Sequence, residues 1–308
     1  MIEPIIATVD PHREDVAAAA LGTVFARLAA APLVLAAAYP VDLPVDNLCP
    51  APSLADKTDA AVTRVAARIR HGSDVPLSTK AVPSGGSFAR ALHQLAKRER
   101  ASLLVVGSSR RGPIGRVSPG AVTDRLLHGA PCPVAVAPAG LSLDDARAPE
   151  LIGVAFADTP DGHLALTFAR SLARAARARI RIFTVAEPLE LLTTGAADAA
   201  EAARRAGRQA AEATLARGIA GVPAGHADGG RVLAGNPADA LAAASEELDL
   251  LVCGSRGRGP LRTMLLGGTS HALVRKASCP VLVVPLGAHL PDLDEPRSAR
   301  HGASLQEV

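Results

Sequence analysis

The chain runs through the same strand–loop–helix–strand sequence twice, 147 residues apart. "LLVVGSSRRGPIGRVSPGAVTDRLLHGAPCPVAVAP" occupies 103–138, and "LLVCGSRGRGPLRTMLLGGTSHALVRKASCPVLVVP" occupies 250–285. Gly107 answers to Gly254, Gly120 to Gly267, Cys132 to Cys279 and Pro138 to Pro285, all at that one interval. An offset held over so long a stretch marks a duplicated domain, because stacked small repeats recur at about 20 to 50 residues. The length of 308 residues agrees, since it is about twice an ordinary domain. Each copy is long enough to bury about two-thirds of its unfolded surface without a disulfide or metal.

Apolar residues make up 48% of the chain, yet aromatics are 2% and Trp is absent. The core must therefore be aliphatic, as buried parallel strands usually are. Nucleic-acid platforms that stack bases on aromatic rings are disfavoured, and a net charge of +3 demands no polyanionic partner. The four cysteines (Cys49, Cys132, Cys253, Cys279) show no CxxC spacing and no His ligand pattern. Cys132 and Cys279 sit in matching "PCPV" and "SCPV" turns and read as small buried residues in a reducing compartment. "MIEPIIATVD" leads straight into a strand without a basic leader, and Val16–Ala38 is broken by Gly22, Arg27 and Pro32. A cytoplasmic chain with no membrane contact is expected.

Periodicity predicts strands over 5–10, 33–39, 77–82 (an edge), 103–106 and 134–137, and helices over 15–31, 55–70, 87–100 and 120–128. Copy two repeats the plan with strands over 151–156, 180–185, 250–253 and 281–284, and helices over 163–176, 196–217, 237–247 and 267–276. The offset drifts to 149 near Phe88 and Pro237 and then returns, so small compensating insertions flank the third strand. Alternating strands and helices of this length imply an α/β fold, a parallel sheet covered on both faces in each copy. The linker is about 139–150, placing domains at 1–140 and 149–287. The remainder, 288–308, has no periodicity and is expected to be disordered.

Chemistry concentrates at the loop after 250–253, where glycines fall as Gly254-x2-Gly257-x9-Gly267. Glycines let a phosphate approach main-chain N–H groups without Cβ interference. The start of the helix near Gly267 adds unpaired N–H groups and a positive dipole end, and Thr269 and Ser270 add hydroxyls. In an open α/β sheet such a loop lies at the carboxyl ends of the strands, where ligands bind.

Over about 280 residues both copies resemble universal stress protein domains: the G-x2-G-x9-G-[ST] loop, the "PCPVLVV"-like strand, "VDPHRED" after strand one, and "GNPADAL" at Gly235–Leu241. The resemblance implies five-stranded parallel sheets of order 3-2-1-4-5, of the adenine nucleotide alpha hydrolase-like kind. It also implies that the fifth strands of the two domains pair, so a tandem chain builds an internal pseudo-dimer. Some members bind ATP, with adenine and ribose near the ends of strands one and two and phosphates on the glycine loop; others lack the motif and do not.

Transferred residue by residue, the resemblance treats the copies differently. In copy one Asp10, Gly107 and Gly120 match, and Ala37 falls where a strand-two residue packs on the base. Arg110, however, stands in place of the second glycine and Ala121 in place of Ser/Thr, although Thr123 supplies a later hydroxyl. A left-handed backbone at Arg110 would cost roughly 1–2 kcal/mol, and its side chain would fill the phosphate space. Copy one is not expected to bind ATP in the family manner. In copy two Gly254, Gly257 and Gly267 match, Gly268 replaces the Ser/Thr, and Thr184, Cys253, Thr269 and Ser270 complete the implied site. Its acid is displaced: Ala157 aligns with Asp10, and Asp158 follows one residue later. In extended chain that slip turns the side chain to the other face, unless the bend at Thr159-Pro160 restores it. The loss of one charged hydrogen bond, roughly 1.5–3 kcal/mol, predicts a weakened ATP site in copy two.

The arginines of the two loops (Arg110, Arg111, Arg116; Arg256, Arg258, Arg262) read as solvated basic residues, and "SGGS" at Ser84–Ser87 as a helix cap. The nine histidines show no metal spacing, and no GxGxxG follows strand one. No residue stands out as a base able to activate water, so an enzyme is not expected. The expected function is a stress-response regulator whose domain 2 binds adenine nucleotide (ATP) weakly. The alternative is a nucleotide-free scaffold that docks a protein partner, with a homodimer open to either.

Overall fold

The computed structural model describes residues 3–13, 15–41, 53–108, 116–117, 120–186, 197–255 and 268–287. The first half holds β1 (Ile5–Thr8), α1 (Ala17–Ala29), β2 (Leu33–Tyr39), α2 (Leu54–Arg70), β3 (Leu77–Pro83), α3 (Phe88–Arg98), β4 (Leu103–Val106), α4 (Ala121–Leu127) and β5 (Val134–Val136). The second half holds β6 (Leu151–Ala155), α5 (Pro160–Ala176), β7 (Arg179–Ala186), α6 (Ala197–Ala220), β8 (Ala227–Ala234), α7 (Pro237–Ala244), β9 (Leu250–Gly254), α8 (Gly268–Val274) and β10 (Val281–Val284).

All ten strands join one sheet of order β3-β2-β1-β4-β5-β10-β9-β6-β7-β8. Each half is parallel with the order 3-2-1-4-5, and the halves meet where β5 and β10 pair antiparallel, Ala135 opposite Leu282. The two sheets are therefore halves of a single mixed sheet, joined through their fifth strands. The central strands have no alternation because both faces are covered, and Leu104, Val105, Val281 and Leu282 are wholly buried. One apolar layer packs α1, α2 and α5 on the sheet, while the other packs α3, α7 and α8.

Several boundaries shift by a few residues, and one strand of the second copy is not among those expected from the sequence; two of these differences have local reasons. Helix α5 begins at Pro160, not His163, because Thr159 caps it: its Oγ1 accepts from the N–H of Gly162 at 3.3 Å, and proline fills the first helical position. Helix α6 runs three residues beyond Arg217. Strand β8 is the third strand of the second half, yet its sequence "ADGGRVLA" has no apolar run; it is an edge strand whose register on β7 shifts between Ile180 and Ile182. The "SGGS" segment is a cap, as expected. Ser87 Oγ accepts from the N–H of Arg90 at 3.4 Å, and Gly85 and Gly86 take φ of 50° and 91°, which glycine adopts without strain. Among the described residues no helix is long and apolar enough to cross a membrane. The expected tail, 288–308, lies outside the described residues.

Candidate functional site

Each half carries a hollow at the carboxyl ends of its strands, where an open α/β sheet leaves a crevice. The second opens between the ends of β6, β7 and β9 and the starts of α5, α7 and α8. Thr184, Cys253, Gly254, Thr269 and Ser270 line it, so five residues scattered through copy two meet at one place. Gly268 begins α8 exposed, with open space where a Cβ would stand. Gly257 and Gly267 lie outside the described residues, as do Arg256, Arg258 and Arg262.

Two hydroxyls of this hollow are already engaged. Ser270 Oγ donates to the Gly254 carbonyl at 2.8 Å, and Thr184 Oγ1 donates to the Phe156 carbonyl at 3.2 Å. Each hydroxyl has one proton to give, so toward a ligand both are acceptors. The Cys253 thiol is pushed up to about 12 by burial, with the nearby Asp161 charge adding to the shift and a hydrogen bond with Ser270 opposing it. It is inert lining at neutral pH.

Asp158 is not part of the hollow. Its carboxylate is held by His163 Nε2 at 2.8 Å and by Arg217 Nε at 3.1 Å, between α5 and α6. The bend at Thr159-Pro160 starts a helix and does not swing Asp158 inward. The carboxylate that does line the second hollow belongs to Asp161, only 5% exposed in the first turn of α5. A comparison at fixed offset misses it, since Asp161 lies four residues past the position equivalent to Asp10. The legible signal was Thr159-Pro160-Asp161, a helix start with its acid in the first turn.

The first hollow lies at the pseudo-equivalent place and is lined by Asp10, Gly107, Gly120, Ala121 and Thr123. Asp10 Oδ1 accepts from the N–H of His12 at 3.0 Å, and Oδ2 pairs with Arg13 at 3.3 Å. Thr123 Oγ1 donates to the Gly107 carbonyl at 3.0 Å, the counterpart of Ser270 on Gly254. Phe88 and Val122, 39% and 38% exposed, form an apolar lip. This hollow measures about 390 Å³ and the second about 100 Å³, the reverse of what the loop sequences suggest. Arg110 lies outside the described residues. Among the described residues no cluster of His, Cys, Asp or Glu could hold a metal ion.

The model of the universal stress protein family matches residues 1–138 and 150–285. A universal stress protein of Mycobacterium tuberculosis is 33% identical over 196 residues, 59% of this chain and 61% of that relative. One from Mycolicibacterium smegmatis is 32% identical over 202 residues, 64% of this chain and 66% of its own length. The chain thus covers just under two-thirds of the length of these relatives. A crystal structure of a putative universal stress protein from Pseudomonas aeruginosa superposes over 92% of this chain and 93% of its own, with a TM-score of 0.63 at 16% identity. One from Archaeoglobus fulgidus covers 92% and 96%, with a TM-score of 0.58 at 17% identity. At those identities the two structures speak for the fold alone.

Proposed function

The chain belongs to the universal stress protein family, and from that premise we propose that it is a cytoplasmic stress-response regulator whose second half binds an adenine nucleotide, ATP before others. The single observation that carries this reading is the convergence of Thr184, Cys253, Gly254, Thr269 and Ser270 on one hollow at the strand ends. These are residues that the resemblance marks for a nucleotide, Thr184 from the second strand of the half and the others from around the glycine loop. In this reading the hollow receives the base and sugar, and the triphosphate lies over the loop from Gly257 to Gly267. Gly268 has no side chain to obstruct it. The sites fall one to a domain, 1–140 and 149–287, with the second retaining the glycines. No reaction is assigned to the chain; binding is the function.

A second reading is favoured by one measurement. The second hollow, at about 100 Å³, is smaller than the roughly 300–1,000 Å³ of ordinary ligand pockets. A nucleotide-free scaffold, in which the joined ten-stranded sheet docks a protein partner, needs no larger cavity. Titration calorimetry of ATP into the whole chain separates the two. Saturable binding at or below about millimolar Kd supports the nucleotide reading, and no heat beyond dilution leaves the scaffold.

A further inference from the structure

We infer that Asp161 is the sugar-recognising carboxylate of the second half, taking by a different route the place that Asp10 holds in the first. This rests on the reading that an adenine nucleotide occupies the second hollow.

The argument is one of space. Asp10 lines the first hollow directly after β1, while its counterpart in the second, Ala157, has no carboxylate to offer. Two glycines make room for Asp161 instead. A Cβ on Gly162 would drive into the Ala157 carbonyl, so the first turn of α5 can close against the end of β6 only because residue 162 has no side chain. A Cβ on Gly254 would stand 2.7 Å from Asp161 Oδ2, so the carboxylate lies directly against bare backbone at the end of β9. At the equivalent glycine of the first half, Gly107, a Cβ would meet nothing nearer than Ala18 Cβ at 4.0 Å. Asp161 therefore fills space that the first half leaves open, which accounts for part of the difference between the two cavities.

Charge then selects what Asp161 can recognise. A buried carboxylate repels phosphate oxygens and accepts from neutral donors. The lining hydroxyls of Thr184 and Ser270 have given their protons to main-chain carbonyls. A carboxylate only accepts, so a ligand group that meets Asp161 must be a donor, and the vicinal 2′- and 3′-hydroxyls of ribose are neutral donors of that kind. The half is thereby selective for a ribonucleotide over its deoxy analogues.

The test uses ATP, 2′-deoxy-ATP and 3′-deoxy-ATP titrated into the full chain and into D161N, with ITP as a control on the base. The wild-type chain should bind ATP roughly ten- to a hundredfold more tightly than the 3′-deoxy analogue. D161N should lose that preference while binding the deoxy analogues within about threefold of wild type. If the wild-type chain binds ATP and its deoxy analogues equally, or if D161N keeps the preference, the role of Asp161 is overturned while nucleotide binding stands. If D161N instead changes the discrimination between ATP and ITP and not that between sugars, the carboxylate reads the base and the inference fails. If no nucleotide binds the wild-type chain, the nucleotide reading falls and this inference with it. The wild-type comparison needs no variant, so poor folding of D161N would not remove the test.

Discussion

Asp161 lies against Gly254 so closely that a single methyl group on residue 254 would come within 2.7 Å of its Oδ2 and 2.9 Å of its main-chain oxygen. The end of β9 and the first turn of α5 are thus in contact with nothing between them. A G254A substitution must move one or the other, and overpacking of that kind costs about 1–3 kcal/mol. G107A, at the matching place in the first half, meets only Ala18 Cβ at 4.0 Å and should change stability by less than about 0.5 kcal/mol. Urea denaturation of the two variants checks the contrast, and equal costs would contradict it.

The hydroxyl bonds from helix start to strand end should be worth the same in both halves. Ser270 donates to Gly254 at 2.8 Å, and Thr123 donates to Gly107 at 3.0 Å. Ser270 is 5% exposed and Thr123 7%, so S270A or T123A leaves a strand-end carbonyl short of a partner, at about 1–2 kcal/mol each. The check is the shift in denaturation midpoint with an unchanged slope.

Cys132, Cys253 and Cys279 are free and buried, and burial pushes each thiol from 9.0 up to about 12. Alkylation of these three in the native chain at pH 8 should run about a thousandfold slower than in urea. The sign of the linked stability follows. Below pH 9 both states hold the thiol proton and nothing changes; between pH 9 and about 12 only the unfolded chain releases it, so stability falls as pH rises through that window. Denaturation midpoints measured across it should decline, and a flat profile would contradict the burial of the thiols.

The seam between the halves is held by its strands more than by its charges. Asp124 on α4 reaches across to Arg275 at 3.1 Å and His271 at 3.3 Å, but these groups are partly solvated and D124A should cost less than about 1 kcal/mol. Leu282 is wholly buried where β10 pairs with β5, so L282A should cost about 2–5 kcal/mol. Because the halves share one sheet, loss of far-ultraviolet signal should remain a single transition in both variants.

The fold was legible because its evidence is redundant: a 147-residue offset, repeated glycines and aliphatic runs too continuous for one-sided strands all point to a duplicated parallel α/β domain, while the pairing of the fifth strands came from the family resemblance. Strand β8 escaped because Gly229 and Gly230 interrupt it and its partly buried residues do not form an apolar run. The site was legible only in part. Matching by offset located Thr184, Cys253, Gly254, Thr269 and Ser270, whose places follow from strand ends that both copies share. The same matching pointed to Asp158, the nearest acid in sequence, although His163 and Arg217 hold that side chain outside the hollow. Asp161 becomes visible only when the Thr159-Pro160 helix start is taken as a change of chain direction, which brings a residue four positions later back over the end of β6. Relative cavity size was not legible at all, since it depends in part on how closely α5 approaches Gly254, and neither loop sequence encodes that approach.

A crystal structure of the full chain grown with ATP tests the central claim most directly. The account predicts adenine and ribose in the second hollow beside Thr184, with the sugar hydroxyls on Asp161 and the phosphates over Gly257 to Gly267. Nucleotide bound only beside Asp10 in the first hollow, or in neither, would contradict it.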